Sequence, residues 1–142
     1  MIIYNSDDVK MPAFPKRKIS NWIKGVAENH NKRVGDISYI FCSDSKILEV
    51  NKAYLDHDYY TDIITFDYSE NDVISGDIFI SIDTVKSNAE KYAEEYTKEL
   101  YRVIIHGVLH LCGIDDKAEG AREIMEENED NALIMLRQML DK

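Results

Sequence analysis

Two histidines four residues apart, inside an apolar, helix-forming run, constrain this chain more than anything else in it: His106-Gly107-Val108-Leu109-His110-Leu111-Cys112-Gly113-Ile114-Asp115-Asp116. At 3.6 residues per turn, positions i and i+4 lie one above the other on a single helix face. The stretch therefore predicts a helix that presents two imidazoles side by side, and such a pair can bind one divalent ion. Gly113 supplies the left-handed residue that commonly ends a helix. Beyond that turn the chain can double back, so that Asp115 or Asp116 offers a third ligand. Two histidines and one carboxylate leave a coordination position open, which is the layout of a catalytic zinc site. A buried, hydrogen-bonded histidine pair is the alternative. Two details favour the metal. Gly107 costs about 1 kcal/mol relative to alanine in a helix interior, so something has to approach the backbone there. The helix stop is also rich in carboxylates, which a packing motif does not need. Where H-E-x-x-H proteases carry their general base, this chain has Gly107, so peptide hydrolysis by that route is not expected.

The length of 142 residues predicts one domain, 1–142, with room for a real core. The 44% hydrophobic content fits a globular protein. No run approaches the roughly 20 apolar residues that cross a membrane, and the N-terminal segment lacks the basic-then-apolar order of a secretory signal. The expected compartment is the cytoplasm, where Cys42 and Cys112 are expected as free buried thiols. Cys112 lies two residues past His110, on another side of the helix, which makes it a poor ligand. The net charge of −10 opposes non-specific attraction to nucleic acid. Lys10, Lys16, Arg17, Lys18, Lys24, Lys32 and Arg33 nevertheless gather before residue 34. They form either an ordinary solvated face or a local patch for a polyanion.

Patterning predicts a short strand at Ile2-Ile3-Tyr4 and a helix from Pro15, carrying Ile19, Trp22, Ile23 and Val26 and stopping at 29–31 with Gly35 beyond. A strand follows over Asp36–Cys42, then a helix capped by Ser43 or Asp44 and running to Leu55. After a polar loop come a buried strand at 63–66, an acidic turn over 67–75, and a strand over 77–82. A charged amphipathic helix spans 83–96, the histidine helix begins at Thr97, and a last helix spans 119–140. Residues 126–131 are all polar, so only the ends of that last helix are expected to be well buried. Four strands and five helices in mixed order predict helices layered on one sheet, of the α/β or α+β class.

The run HGVLHLCGIDD resembles the signature H-G-x-L-H-L-x-G-x-D-H of the bacterial YbeY family of single-domain endoribonucleases, matching at His106, Gly107, Leu109, His110, Leu111, Gly113 and Asp115. Asn51, Tyr54, Asp58 and Thr61-Asp62-Ile63-Ile64-Thr65-Phe66 look like that family's N-x-x-aromatic … D-x-x-T-D-V-L-S-F block, and Gly76–Ser81 like its G-D-I-x-I-S strand. The resemblance implies a zincin-like α+β fold, with a single mixed sheet of about four strands flanked by about five helices. It also implies a bound zinc ion and cleavage of single-stranded RNA in ribosomal RNA maturation and ribosome quality control. Two positions depart from the pattern. The third metal histidine falls on Asp116, whose carboxylate can still ligate zinc, with metal preference widening accordingly. The arginine after the aromatic residue is Leu55, which leaves His57 as the nearest substitute.

The resulting expectation is a zinc-dependent endoribonuclease. His106, His110 and Asp116 hold the metal, and Asp115 and His57 serve as catalytic groups. RNA is contacted by Lys16, Arg17 and Lys18 and stacked upon by Tyr59 or Tyr60. Asp62 and Asp77 are either turn residues or orienting partners of a ligand. Ribosomal or ribosome-associated proteins are further partners. The competing expectation is a non-catalytic maturation factor with a structural metal, and a third is a hydrolase of another phosphoester.

Overall fold

In the computed structural model, which describes residues 1–55, 61–115 and 118–141, nine elements follow one another. They are β1 (Ile2–Ser6), α1 (Lys16–Asn29), β2 (Arg33–Cys42), α2 (Asp44–Leu55), β3 (Ile63–Asp67), β4 (Val73–Ser81), α3 (Ile82–Lys91), α4 (Tyr96–Leu111) and α5 (Ala121–Leu140). The four strands form one sheet in the order β1-β2-β4-β3. β1, β2 and β4 are parallel, and β3 returns antiparallel on the edge, pairing Ile63 with Ile80 and Asp67 with Gly76. The class is therefore α+β with a mixed sheet, as expected.

The pleat sorts side chains by parity. Ile37, Tyr39, Phe41, Ile78 and Ile80 face one side and pack with Trp22, Ile23, Ile104 and Val108 from α1 and α4. On the other side α2 lays Ile47 and Val50 over Cys42 and Ile64. Ser43 caps α2 by accepting the Lys46 N–H at 3.2 Å. Asp44 then joins two helix starts, because Oδ1 accepts from both Ser81 Oγ and Thr84 Oγ1 at 2.5 Å.

The charged helix expected to reach 96 stops at Lys91, where Ala93 at φ 53° turns the chain and Tyr96 already opens α4, and three further expectations need correcting. β4 begins at Val73 rather than at 77. Val73 and Ile74 pair with Arg33 and Val34 of β2, and the burial this gives Ile74 overrides its acidic neighbourhood. Gly35 lies within β2, where the register shifts between Val34 and Ile37, and does not stop α1. Asn31, at φ 62°, makes the turn after that helix. Finally, α5 is buried through its middle: Met125, Glu129, Ala132 and Leu136 form one inward stripe at helical spacing.

Burial also makes the fold sensitive to alkali. It pushes the Cys42 thiol up to about 12 and holds the Tyr39 phenol, which donates to the Ile104 carbonyl at 2.9 Å, well above its usual range. Both groups ionise in the unfolded chain near their ordinary values of 9.0 and 10.0 while staying protonated in the folded one. Above those values the folded state therefore holds more protons, and stability falls as pH rises. Each such group contributes a slope of about 1.4 kcal/mol per pH unit. The urea midpoint is expected to decline above pH ~9, and less steeply above pH ~10 in a Tyr39→Phe chain.

Candidate metal centre

The site begins with how α4 meets the sheet. α4 is apolar on the side facing β3 and β4, burying Ile104, Ile105, Val108 and Leu111. Gly107 allows the closest approach. A methyl group there would lie 3.0 Å from Ile78 Cδ1 and 3.1 Å from Ile63 Cδ1. The close neighbour expected at this glycine is thus the sheet itself. His106 and His110 flank that contact and remain half-buried, with ring centroids 4.6 Å apart and planes crossing at 79°.

The helix stop has the geometry its sequence predicts. Gly113 adopts φ 96°, its N–H donates to the His110 carbonyl at 2.9 Å, and the Ile114 N–H donates to the Leu109 carbonyl at 3.0 Å. This pair of bonds is a Schellman turn. It redirects the chain directly after the second histidine and leaves Asp115 exposed just past the turn. Asp116 and His57 lie outside the described residues, as do Asp58, Tyr59, Tyr60 and the side chain of Leu55. Among the described residues, no group of three or more His, Cys, Asp or Glu forms a metal-binding cluster. Cys112 is no substitute ligand, because it follows His110 by two residues and so lies on another side of the helix end.

The structure adds a residue that the sequence reading passes over. Glu129, on the inward stripe of α5, is 6% exposed, and its Oε2 lies 2.6 Å from His106 Nδ1. Its other oxygen accepts from Arg102 Nη1 at 3.0 Å, and Arg102 Nη2 donates to Asp130 at 2.9 Å. Asp62 is half-buried at the start of β3, and its carbonyl accepts the Ser81 N–H at 2.9 Å. Burial raises the pKa of its carboxyl, and the charge of His106 opposes that shift. Asp77 lies elsewhere. It neighbours Ile78 on β4 and so points to the opposite face of the sheet from α4, where Tyr68 donates to it at 3.3 Å. The carboxylate on His106 is thus Glu129, not Asp77.

A family model described as endoribonuclease YbeY matches residues 2–137. The chain belongs to the YbeY family. Two relatives named Endoribonuclease YbeY show how close the likeness is. The one from Parabacteroides distasonis is 64% identical over 135 residues, covering 95% of each chain. The one from Phocaeicola vulgatus is 63% identical over 136 residues, covering 96% of this chain and 99% of its own. A solution structure of a Thermotoga maritima protein matches with a TM-score of 0.65 at 25% identity, over 97% of this chain and 93% of that one. Against the YbeY signature, His106, Gly107, His110 and Gly113 occupy the helix face, the sheet contact and the Schellman turn described above.

Proposed function

We propose that this YbeY-family endoribonuclease works with a divalent metal, zinc by its donor set, held by His106, His110 and Asp116, and that its substrate is single-stranded ribosomal RNA. One observation carries the reading: two imidazoles on one face of α4, with ring centroids 4.6 Å apart, immediately before a turn that leads into carboxylates. Two nitrogen donors and one oxygen donor suit zinc and leave a position open. When bound, such an ion supplies Lewis acidity toward a phosphoryl oxygen.

The chain's own groups supply the rest. Asp115 and His57 accept and return protons at the reacting oxygens. Lys16, Arg17 and Lys18, all exposed in the first turn of α1, meet the phosphate backbone. Tyr59 and Tyr60 stack on unpaired bases. Among the described residues no helix is long and apolar enough to cross a membrane, which accords with action in the cytoplasm.

Leu55, in place of the family arginine, favours a second reading: an RNA-binding maturation factor with a structural metal, whose partners include ribosomal proteins. One assay separates the two. Purified protein is incubated with single-stranded ribosomal RNA fragments, with and without a metal chelator. Cleavage that stops with chelator and returns with added zinc is the expected result. RNA binding without cleavage, whatever the metal content, would favour the second reading.

A further inference from the structure

We infer that Glu129 is a positioning residue for His106, held in place by Arg102; the role rests on the reading of His106 as a metal ligand. The first sign is where the carboxylate lies. Met125, Glu129, Ala132 and Leu136 form the inward stripe of α5, and three of these four are apolar. A buried carboxylate is costly there unless both of its oxygens are satisfied. An apolar side chain would pack at lower cost, so stability alone does not account for glutamate at this position.

The second sign is how its oxygens are divided. Oε1 accepts from Arg102 Nη1 at 3.0 Å, and Oε2 takes His106 Nδ1 at 2.6 Å. Arg102 precedes His106 by four residues, so both project from the same face of α4 onto one residue of α5. The second guanidinium nitrogen is anchored on Asp130 at 2.9 Å, so the fork is fixed by two consecutive residues of α5.

The consequence concerns which ring nitrogen carries the proton. A carboxylate can only accept, so a neutral His106 carries its proton on Nδ1. The lone pair then lies on Nε2, across the ring from Glu129. Arg102 prevents the carboxylate from turning away, and Glu129 prevents the imidazole from flipping. His106 therefore offers one nitrogen, in one orientation, beside the ring of His110. A histidine ligand oriented by a carboxylate through its other nitrogen is a recurrent device for setting ligand basicity and direction.

The test uses the full-length chain, its Glu129→Gln variant and, in case that variant folds poorly, Arg102→Lys. Glutamine has one acceptor oxygen where the site needs two, so either Arg102 or His106 meets an N–H instead. Two readouts are taken. The tautomer of His106 is read by nitrogen-15 NMR on metal-free protein, at a pH where the imidazole is neutral. Zinc affinity is read by competition with a chromophoric chelator. The expected result is an Nδ1–H tautomer in the parent chain and its loss in Glu129→Gln. Zinc affinity should fall about 10- to 100-fold in that variant, and by the lower end of that range in Arg102→Lys. An Nε2–H tautomer in the parent chain, or folded variants with unchanged tautomer and affinity, would overturn the proposal. A parent chain that binds no zinc yet shows the Nδ1–H tautomer, lost in Glu129→Gln, would remove the metal reading and leave the positioning role standing.

Discussion

Replacing His106 and His110 together by alanine is expected to give a folded chain that no longer retains zinc and cuts RNA at least about a thousandfold more slowly. The size follows from the task assigned to the ion. Lewis-acid stabilisation of a phosphoryl transition state is worth several kcal/mol, and each 1.36 kcal/mol is a factor of ten in rate. The fold should survive, because neither ring belongs to the buried core and the His106 side chain is 19% exposed. The main structural cost is at Glu129, whose Oε2 loses its partner; an unsatisfied buried acceptor costs about 1–3 kcal/mol. Elemental analysis of purified protein and a single-turnover cleavage assay check both halves. A His30→Ala chain, altered at the end of α1, serves as the control. Equal metal content in the double variant and its parent would remove the proposed site.

The largest effect on stability is expected at Trp22, where Trp22→Ala should cost about 3–5 kcal/mol from the lost side chain alone. Trp22 is fully buried on α1, at the meeting of helices and sheet, with its ring edge-on to Tyr101 at 6.3 Å. Its indole N–H donates to the Ala132 carbonyl of α5 at 2.7 Å, a bond that spans 110 residues of sequence. Alanine leaves a cavity and removes the indole donor, and the Ala132 carbonyl, inside α5, keeps its helical partner. Against a total of roughly 5–15 kcal/mol for a domain, that loss is a large share of the folding free energy. Urea denaturation followed by circular dichroism measures it. Trp22→Phe fills most of the volume but drops the hydrogen bond, so it should show a smaller loss, and the difference between the two variants separates packing from bonding.

What could be read from the sequence was local. The α4 face, its stop at Gly113 and the alternation in Ile37-Tyr39-Phe41 and Ile78-Ile80 are set by spacings of two, three and four residues, and each appears in the structure. What could not be read depends on partners distant in the chain. Val73 and Ile74 lie beside Asp72 and Glu70 and read as turn, but β2 gives them a ladder to join. Residues 126–131 read as solvated because every one of them is polar, yet one of the six turns inward. The signal for Glu129 was positional rather than compositional, since it continues the spacing from Met125 toward Ala132 and Leu136. Its reason lies on another helix, in His106 and Arg102, and no periodicity within α5 announces that. The resemblance named the family, while the carboxylate behind His106 emerged only from the packing of α5 on α4.

The bond from Trp22 to Ala132 also bears on the order of synthesis. Both imidazoles leave the ribosome before any of α5 does. At that stage the Trp22 indole lacks its acceptor, His106 has no Glu129 behind it, and the sheet's inner layer lacks Met125, Ala132 and Leu136. The carboxylate that holds His106 therefore arrives with α5 and not with the histidines themselves. A nascent chain halted after α4 would hold both histidines and none of the α5 stripe, neither the Glu129 carboxylate nor the apolar residues beside it.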